Sequence, residues 1–168
     1  MRVAVALAAY AGLREGNVIR FPKSGYNGKA IEAKQEKTDD PIWVPAHRDL
    51  RAILDVWDPK DSLLIVVGEK GRPYKTESGF RSMFFGLIRR LKKEGKVAHG
   101  LTFHGLRHTV GKKLAEAGCT KEQIKAVLGH KSDAAANIYI EEASRKMMAT
   151  AAMKKFEGPK QKVENART

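Results

Sequence analysis

The sequence predicts a mainly α fold with a small antiparallel β-sheet, an α+β arrangement, and three observations carry that expectation. Apolar residues recur at three- and four-residue spacing in several stretches, the period of a helix with one buried face. Helix-capping residues and terminating glycines bracket those stretches. Only one pair of short β-prone runs flanks a tight turn.

Taken in order, Arg2 to Ala11 is rich in alanine and reads as a helix, with Gly12 placed where a left-handed cap would end it. The abrupt start leads us to expect that Met1 lies inside a larger parent protein. From Lys29 to Ala46, the runs Ala30 to Gln35 and Ile42 to Pro45 flank the turn-like Thr38-Asp39-Asp40-Pro41 and predict a β-hairpin. His47 to Trp57 looks helical, Leu63 to Val67 suits a third strand, and Gly68 to Tyr74 is loop.

Thr76 or Ser78 then caps a helix with Phe80, Phe84, Leu87, Ile88 and Leu91 on its core face and basic residues before Gly95. His104 to Ala117 forms the next helix, with Leu106, Val110, Leu114 and Ala117 as its apolar stripe and Gly118 as its stop. Thr120-Lys121-Glu122-Gln123 is a capping-box pattern opening a short helix through Leu128, which Gly129 ends. Ser132 or Asp133 caps a further helix carrying Tyr139, and Glu141 to Phe156 is helix-prone. After Gly158-Pro159 the chain is polar and lysine-rich, so residues 158–168 are expected to form a disordered tail.

With 168 residues the chain has the length of one domain. Its 32 Lys+Arg against 19 Asp+Glu give a net charge of +13, which favours a polyanionic partner through counterion release. The single cysteine, Cys119, excludes an internal disulfide and a thiolate zinc cluster and fits a small buried hydrophobe in a reducing cytosol. No run approaches the length of a membrane-spanning helix, and the first ten residues make a poor signal peptide. A soluble protein of the cytoplasm is expected.

The chemistry concentrates late in the chain. His104-Gly105-Leu106-Arg107-His108 is followed by Leu128-Gly129-His130 and then by Tyr139. Residues three and four apart share a helix face, so His104, Arg107 and His108 project together. Imidazoles, a guanidinium and a phenol can hold a phosphodiester, move its protons and supply an oxygen nucleophile, with no metal-ligand spacing present. No cofactor and no metal is expected. Taken singly each residue has a plainer reading: a helix histidine is ordinarily structural, and a tyrosine on an amphipathic helix ordinarily packs.

Together the order His-x-x-Arg-His, Leu-Gly-His, Tyr resembles the C-terminal signature of the tyrosine recombinases, the phage-integrase family of site-specific DNA strand exchangers. Upstream, Ala11-Gly12-Leu13-Arg14 is similar to the segment that gives those enzymes their first active-site arginine. Gln35-Glu36-Lys37-Thr38 resembles the hairpin turn that carries their catalytic lysine, with Lys34 as the competing candidate. One position departs: Asn17 stands where the family commonly has an acidic residue supporting the arginine, and Glu15 is out of register.

The resemblance implies a catalytic domain over residues 1–157, a fragment lacking an N-terminal core-binding domain, acting on double-stranded DNA through a 3′-phosphotyrosyl intermediate. In that reading Tyr139 attacks phosphorus and His104 organises or accepts its proton. Arg14, Arg107 and His130 hold the non-bridging oxygens, and Lys37 protonates the leaving 5′ oxygen. His108 lends support from behind. A homotetramer on DNA is implied, monomeric or weakly associated when free, with accessory DNA-bending proteins and a phage or mobile-element setting. The alternatives are a silent DNA-binding module of the same fold and a type IB topoisomerase-like enzyme.

Overall fold

The computed structural model describes residues 1–34, 41–68 and 70–158. Helix α1 (Arg2–Ala11) runs through the centre and buries Val3, Ala4, Ala6, Leu7, Ala8 and Ala11, so it is apolar on nearly every side. Its small alanines let α5 (Phe103–Glu116) and α3 (Arg48–Leu54) pack against it. Gly12 ends α1 in the left-handed conformation, with φ 65°. A short helix α2 (Glu15–Ile19) and a 3₁₀ turn (Lys23–Gly25) follow, neither of which the periodicity announced.

Strands β1 (Ala30–Lys34) and β2 (Pro41–Pro45) pair antiparallel with Ile31 opposite Val44, the two apolar residues that face the core. The predicted turn at Thr38, Asp39 and Asp40 lies outside the described residues. The third strand does not form. Within Leu63 to Val67, Leu64 makes one isolated bridge to Pro22 and Val67 one to Pro73. A proline has no N–H to extend a ladder, so pairing stops at single bridges. Ile65 and Val66 are still buried, and the Trp57 indole N–H donates to the Ile65 carbonyl at 2.8 Å.

Thr76 caps α4 (Glu77–Lys93), whose Phe80 and Phe84 meet Phe103 edge-on in the main core. Basic residues close α4, complementing the helix dipole. Thr102 caps α5 through Gly105 N–H. Both arms of the predicted capping box are present on α6 (Lys121–Leu128), between Thr120 and Gln123. Helix α7 (Ala134–Glu157) is continuous, joining the tyrosine-bearing helix and the later helix-prone segment into one.

Asp133 occupies the N-cap position of α7, yet its side chain does not cap. Lys121 and Lys125 take the carboxylate at 2.7 and 2.5 Å and hold its pKa down to about 2, clamping the α6–α7 turn. A second apolar cluster gathers Val110, Ala115, Ile124, Leu128, Ala136, Tyr139 and Ala143, with half-buried Cys119 against it. Helix α5 lies between the two clusters, contributing Phe103 to one and Val110 to the other. The predicted tail after Gly158 lies outside the described residues. Among the described residues, no helix is long and apolar enough to cross a membrane.

Candidate active site

The site is assembled where α1 ends, α5 begins, α6 ends and α7 begins. Gly12 is required there for two independent reasons. Its left-handed backbone suits glycine, and a Cβ would stand 2.5 Å from Leu128 Cδ2, so the end of α6 packs directly on the end of α1. That close approach presents two backbone carbonyls to one side chain. Arg107, 6% exposed, donates to the Gly12 carbonyl at 2.6 Å and, through its other terminal nitrogen, to the Leu128 carbonyl.

Those carbonyls fix the guanidinium without neutralising it. Burial, then the nearby positive charge of Arg14, push its pKa down to about 10, while Tyr139 acts in the opposite direction. It therefore stays charged at neutral pH, a buried cation whose described electrostatic neighbours include a second cation. Arg14, half-buried at the N-cap position of α2, is that second cation. The arrangement favours an anion that touches both guanidinium groups.

Three imidazoles border the pair. His104 and His108 stand one turn apart on the exposed side of α5, rings edge to face at 4.8 Å. Burial first, then His108, Arg107 and Arg14, lower the His104 pKa, with Glu15 opposing. His130 follows Gly129, the left-handed cap of α6 at φ 60°, and its N–H returns to the Lys125 carbonyl. Burial, followed by Arg107, Arg14, His108 and His104, brings the His130 pKa down to about 4. It is a neutral ring at pH 7, and its Nδ1 is enclosed without a hydrogen-bond partner among the described residues.

Tyr139 projects from α7 into this group. It is 5% exposed, its ring lies nearly parallel to that of His130, and its hydroxyl is 3.0 Å from His108 Nδ1. Burial raises the phenol pKa and Arg107 lowers it. The room for the ring comes from Gly111, where a Cβ would sit 2.5 to 2.7 Å from three ring carbons. Gly111 was not among the expected site residues. A glycine inside a helix costs about 1 kcal/mol against alanine, which signals a close approach but does not name the partner.

Five sequence-predicted residues, Arg14, His104, Arg107, His130 and Tyr139, thus come together, with His108 in direct contact with the phenol. Lys37 lies outside the described residues, and Lys34 ends β1. Asn17 is buried and donates its amide N–H to the Lys34 carbonyl at 3.2 Å. A carboxylate could not donate that bond, so the departure at this position ties α2 to the end of β1. Glu15 instead pairs with Arg81 of α4 at 3.0 Å.

The model of the phage integrase family matches residues 1–146. The chain belongs to that family. It is 30% identical over 110 residues to tyrosine recombinase XerC of Corynebacterium glutamicum, a match covering 64% of this chain and 34% of that protein. The crystal structure of XerA recombinase superposes with a TM-score of 0.71 at 24% identity, covering 89% of this chain and 57% of the other. A lambda integrase dimer bound to a COC′ core site matches at 0.63 and 26% identity, covering 83% and 51%. The chain thus spans about a third of the curated relative and little more than half of these solved proteins.

Proposed function

We propose that this chain is the strand-cleaving and rejoining part of a site-specific DNA recombinase. The observation that carries the reading is the meeting of Arg14, Arg107, His130 and Tyr139 from four separate segments, close enough that the charges of the two guanidinium groups act on each other and on His130 and gather positive charge beside the phenol. A phosphodiester matches that charge. The two guanidinium groups hold its non-bridging oxygens and stabilise the charge that builds in the transition state, and His130 adds a hydrogen bond. Tyr139 attacks phosphorus, and Lys37 protonates the departing 5′ oxygen.

The resulting 3′-phosphotyrosyl bond conserves the phosphodiester energy, so a 5′ hydroxyl from another strand reverses the step without ATP. Double-stranded DNA is the partner in this reading, supported by the net charge of +13 and by the DNA-bound lambda integrase and Tn1549 transposon integrase among the similar structures. The setting is integration or excision of a phage or mobile element in a bacterial cytoplasm. The working form is a tetramer on DNA, monomeric or weakly associated when free, with accessory DNA-bending proteins.

The test offers the protein two different duplexes carrying its site. Joined products support recombination, relaxation of supercoils without joining indicates the topoisomerase alternative, and DNA binding with neither reaction indicates the silent module.

A further inference from the structure

We propose that His108 is the catalytic residue that takes the proton from the nucleophile, with His104 acting behind it as a positioning residue. The proposal rests on the strand-cleavage reading above and adds an assignment to it. Its basis is contact: the Tyr139 hydroxyl lies 3.0 Å from His108 Nδ1, in hydrogen-bond reach of the oxygen that must lose its proton. His104 meets the edge or face of the His108 ring at 4.8 Å and does not share that bond with the phenol.

The surroundings suit the role. Tyr139 is buried, its ring backed by Gly111 and aligned with His130, so the hydroxyl has a defined direction. His108 is exposed and one helical turn from His104, so a proton received at Nδ1 has an outlet through Nε2 toward solvent. The groups facing this imidazole are Tyr139 from α7, His104 on its own helix and His130 from the turn before α7. Burial first, then neighbouring charges that include Arg107 and Arg14, lower the pKa of His104 and of His130.

The step balances as follows. The neutral ring, carrying its proton on Nε2, accepts the phenolic hydrogen at Nδ1. The Tyr139 oxygen forms the bond to phosphorus, and the bond from phosphorus to the 5′ oxygen breaks with a proton supplied by the general acid. In rejoining, the 5′ hydroxyl attacks and gives its proton to the conjugate base of that general acid, the bond between phosphorus and the Tyr139 oxygen breaks, and His108 Nδ1–H returns the proton to the phenolate.

The test uses single-turnover cleavage of nicked suicide DNA by the wild-type chain, H108A, H108Q and H104A, alongside ¹⁵N spectra of the DNA-free proteins. H108A is expected to lose roughly 10²- to 10⁴-fold in rate, the range of a general base, with added imidazole restoring part of it. H108Q keeps a hydrogen-bonding group and is expected to remain slow. H104A loses less and is not rescued. In the spectra, Y139F is expected to shift the His108 Nδ1 resonance.

H108A cleaving within about threefold of wild type, or imidazole rescuing H104A instead, overturns the assignment to His108 while leaving strand cleavage standing. A normal adduct with no Nδ1 shift in Y139F does the same. A wild-type chain that forms no adduct although Y139F shifts Nδ1 overturns the cleavage reading itself, and with it the proton transfer.

Discussion

Replacing Gly111 with alanine separates the position of the nucleophile from the integrity of the fold. The new methyl carbon would stand 2.5 Å from Tyr139 Cε2, where ordinary contact begins near 3.4 Å, so the ring must retreat by about 1 Å. Alanine gains about 1 kcal/mol over glycine in a helix interior, whereas overpacking costs about 1 to 3 kcal/mol. The difference is a net loss of roughly 0 to 2 kcal/mol, or a Tm lowered by less than about 8 °C at this chain length. The same 1 Å breaks the 3.0 Å contact with His108 and displaces the phenol oxygen that the proposed cleavage uses as nucleophile. A misplacement of that size costs about 10²-fold in rate. Thermal unfolding followed by circular dichroism, together with single-turnover cleavage of nicked suicide DNA, reads both quantities. A G111A chain that cleaves as fast as wild type would refute the claim that the α5–α7 contact sets the position of Tyr139.

Three further outcomes follow from the same geometry. R107A leaves the Gly12 and Leu128 carbonyls without their donor, so urea denaturation should show a loss of about 2 to 4 kcal/mol beside the loss of cleavage. Unchanged stability would mean that the two carbonyls do not depend on Arg107. The His130 pKa is about 4 in the folded chain against an ordinary 6.5, so the unfolded chain binds more protons between those values. Stability should therefore rise with pH across that window and level off above it. The His130 share is on the order of 1 kcal/mol once its partial exposure is allowed for. H130Q should flatten that part of the slope, and an identical slope in both proteins would count against the burial of this ring. DNA affinity should fall with salt at a log–log slope of about −5 if roughly six phosphates are neutralised, and a flat response in fluorescence anisotropy would exclude phosphate contacts as the source of binding.

Features governed by neighbours in the chain were legible from the sequence. Gly12 and Gly129 ended their helices in the left-handed conformation, and the Thr120–Gln123 box formed, because each depends on residues within one turn. The third strand failed for a non-local reason, since the segments opposite Leu64 and Val67 present prolines. Asp133 does not cap because two lysines from the preceding helix claim its carboxylate. Helix α2 is five residues long, too short for a period to register.

At the site, the motif from His104 to Tyr139 and the spacing of Arg14 identified which side chains meet. They could not say how. That Arg107 is held by two carbonyls rather than by an acid, and that Gly111 clears the space for Tyr139 twenty-eight positions on, are consequences of how α1, α5, α6 and α7 pack. The direct contact of His108 with the phenol is another, since sequence placed that histidine behind the site rather than in it.

The account depends on the phenol of Tyr139 becoming the temporary partner of a DNA phosphate. Mass spectrometry of the protein–DNA adduct, trimmed by nuclease and digested, locates that bond. The predicted result is a 3′-nucleotide phosphate on Tyr139 and no adduct from the Y139F chain. A nucleotide on any other residue, or an adduct that persists in Y139F, would contradict it.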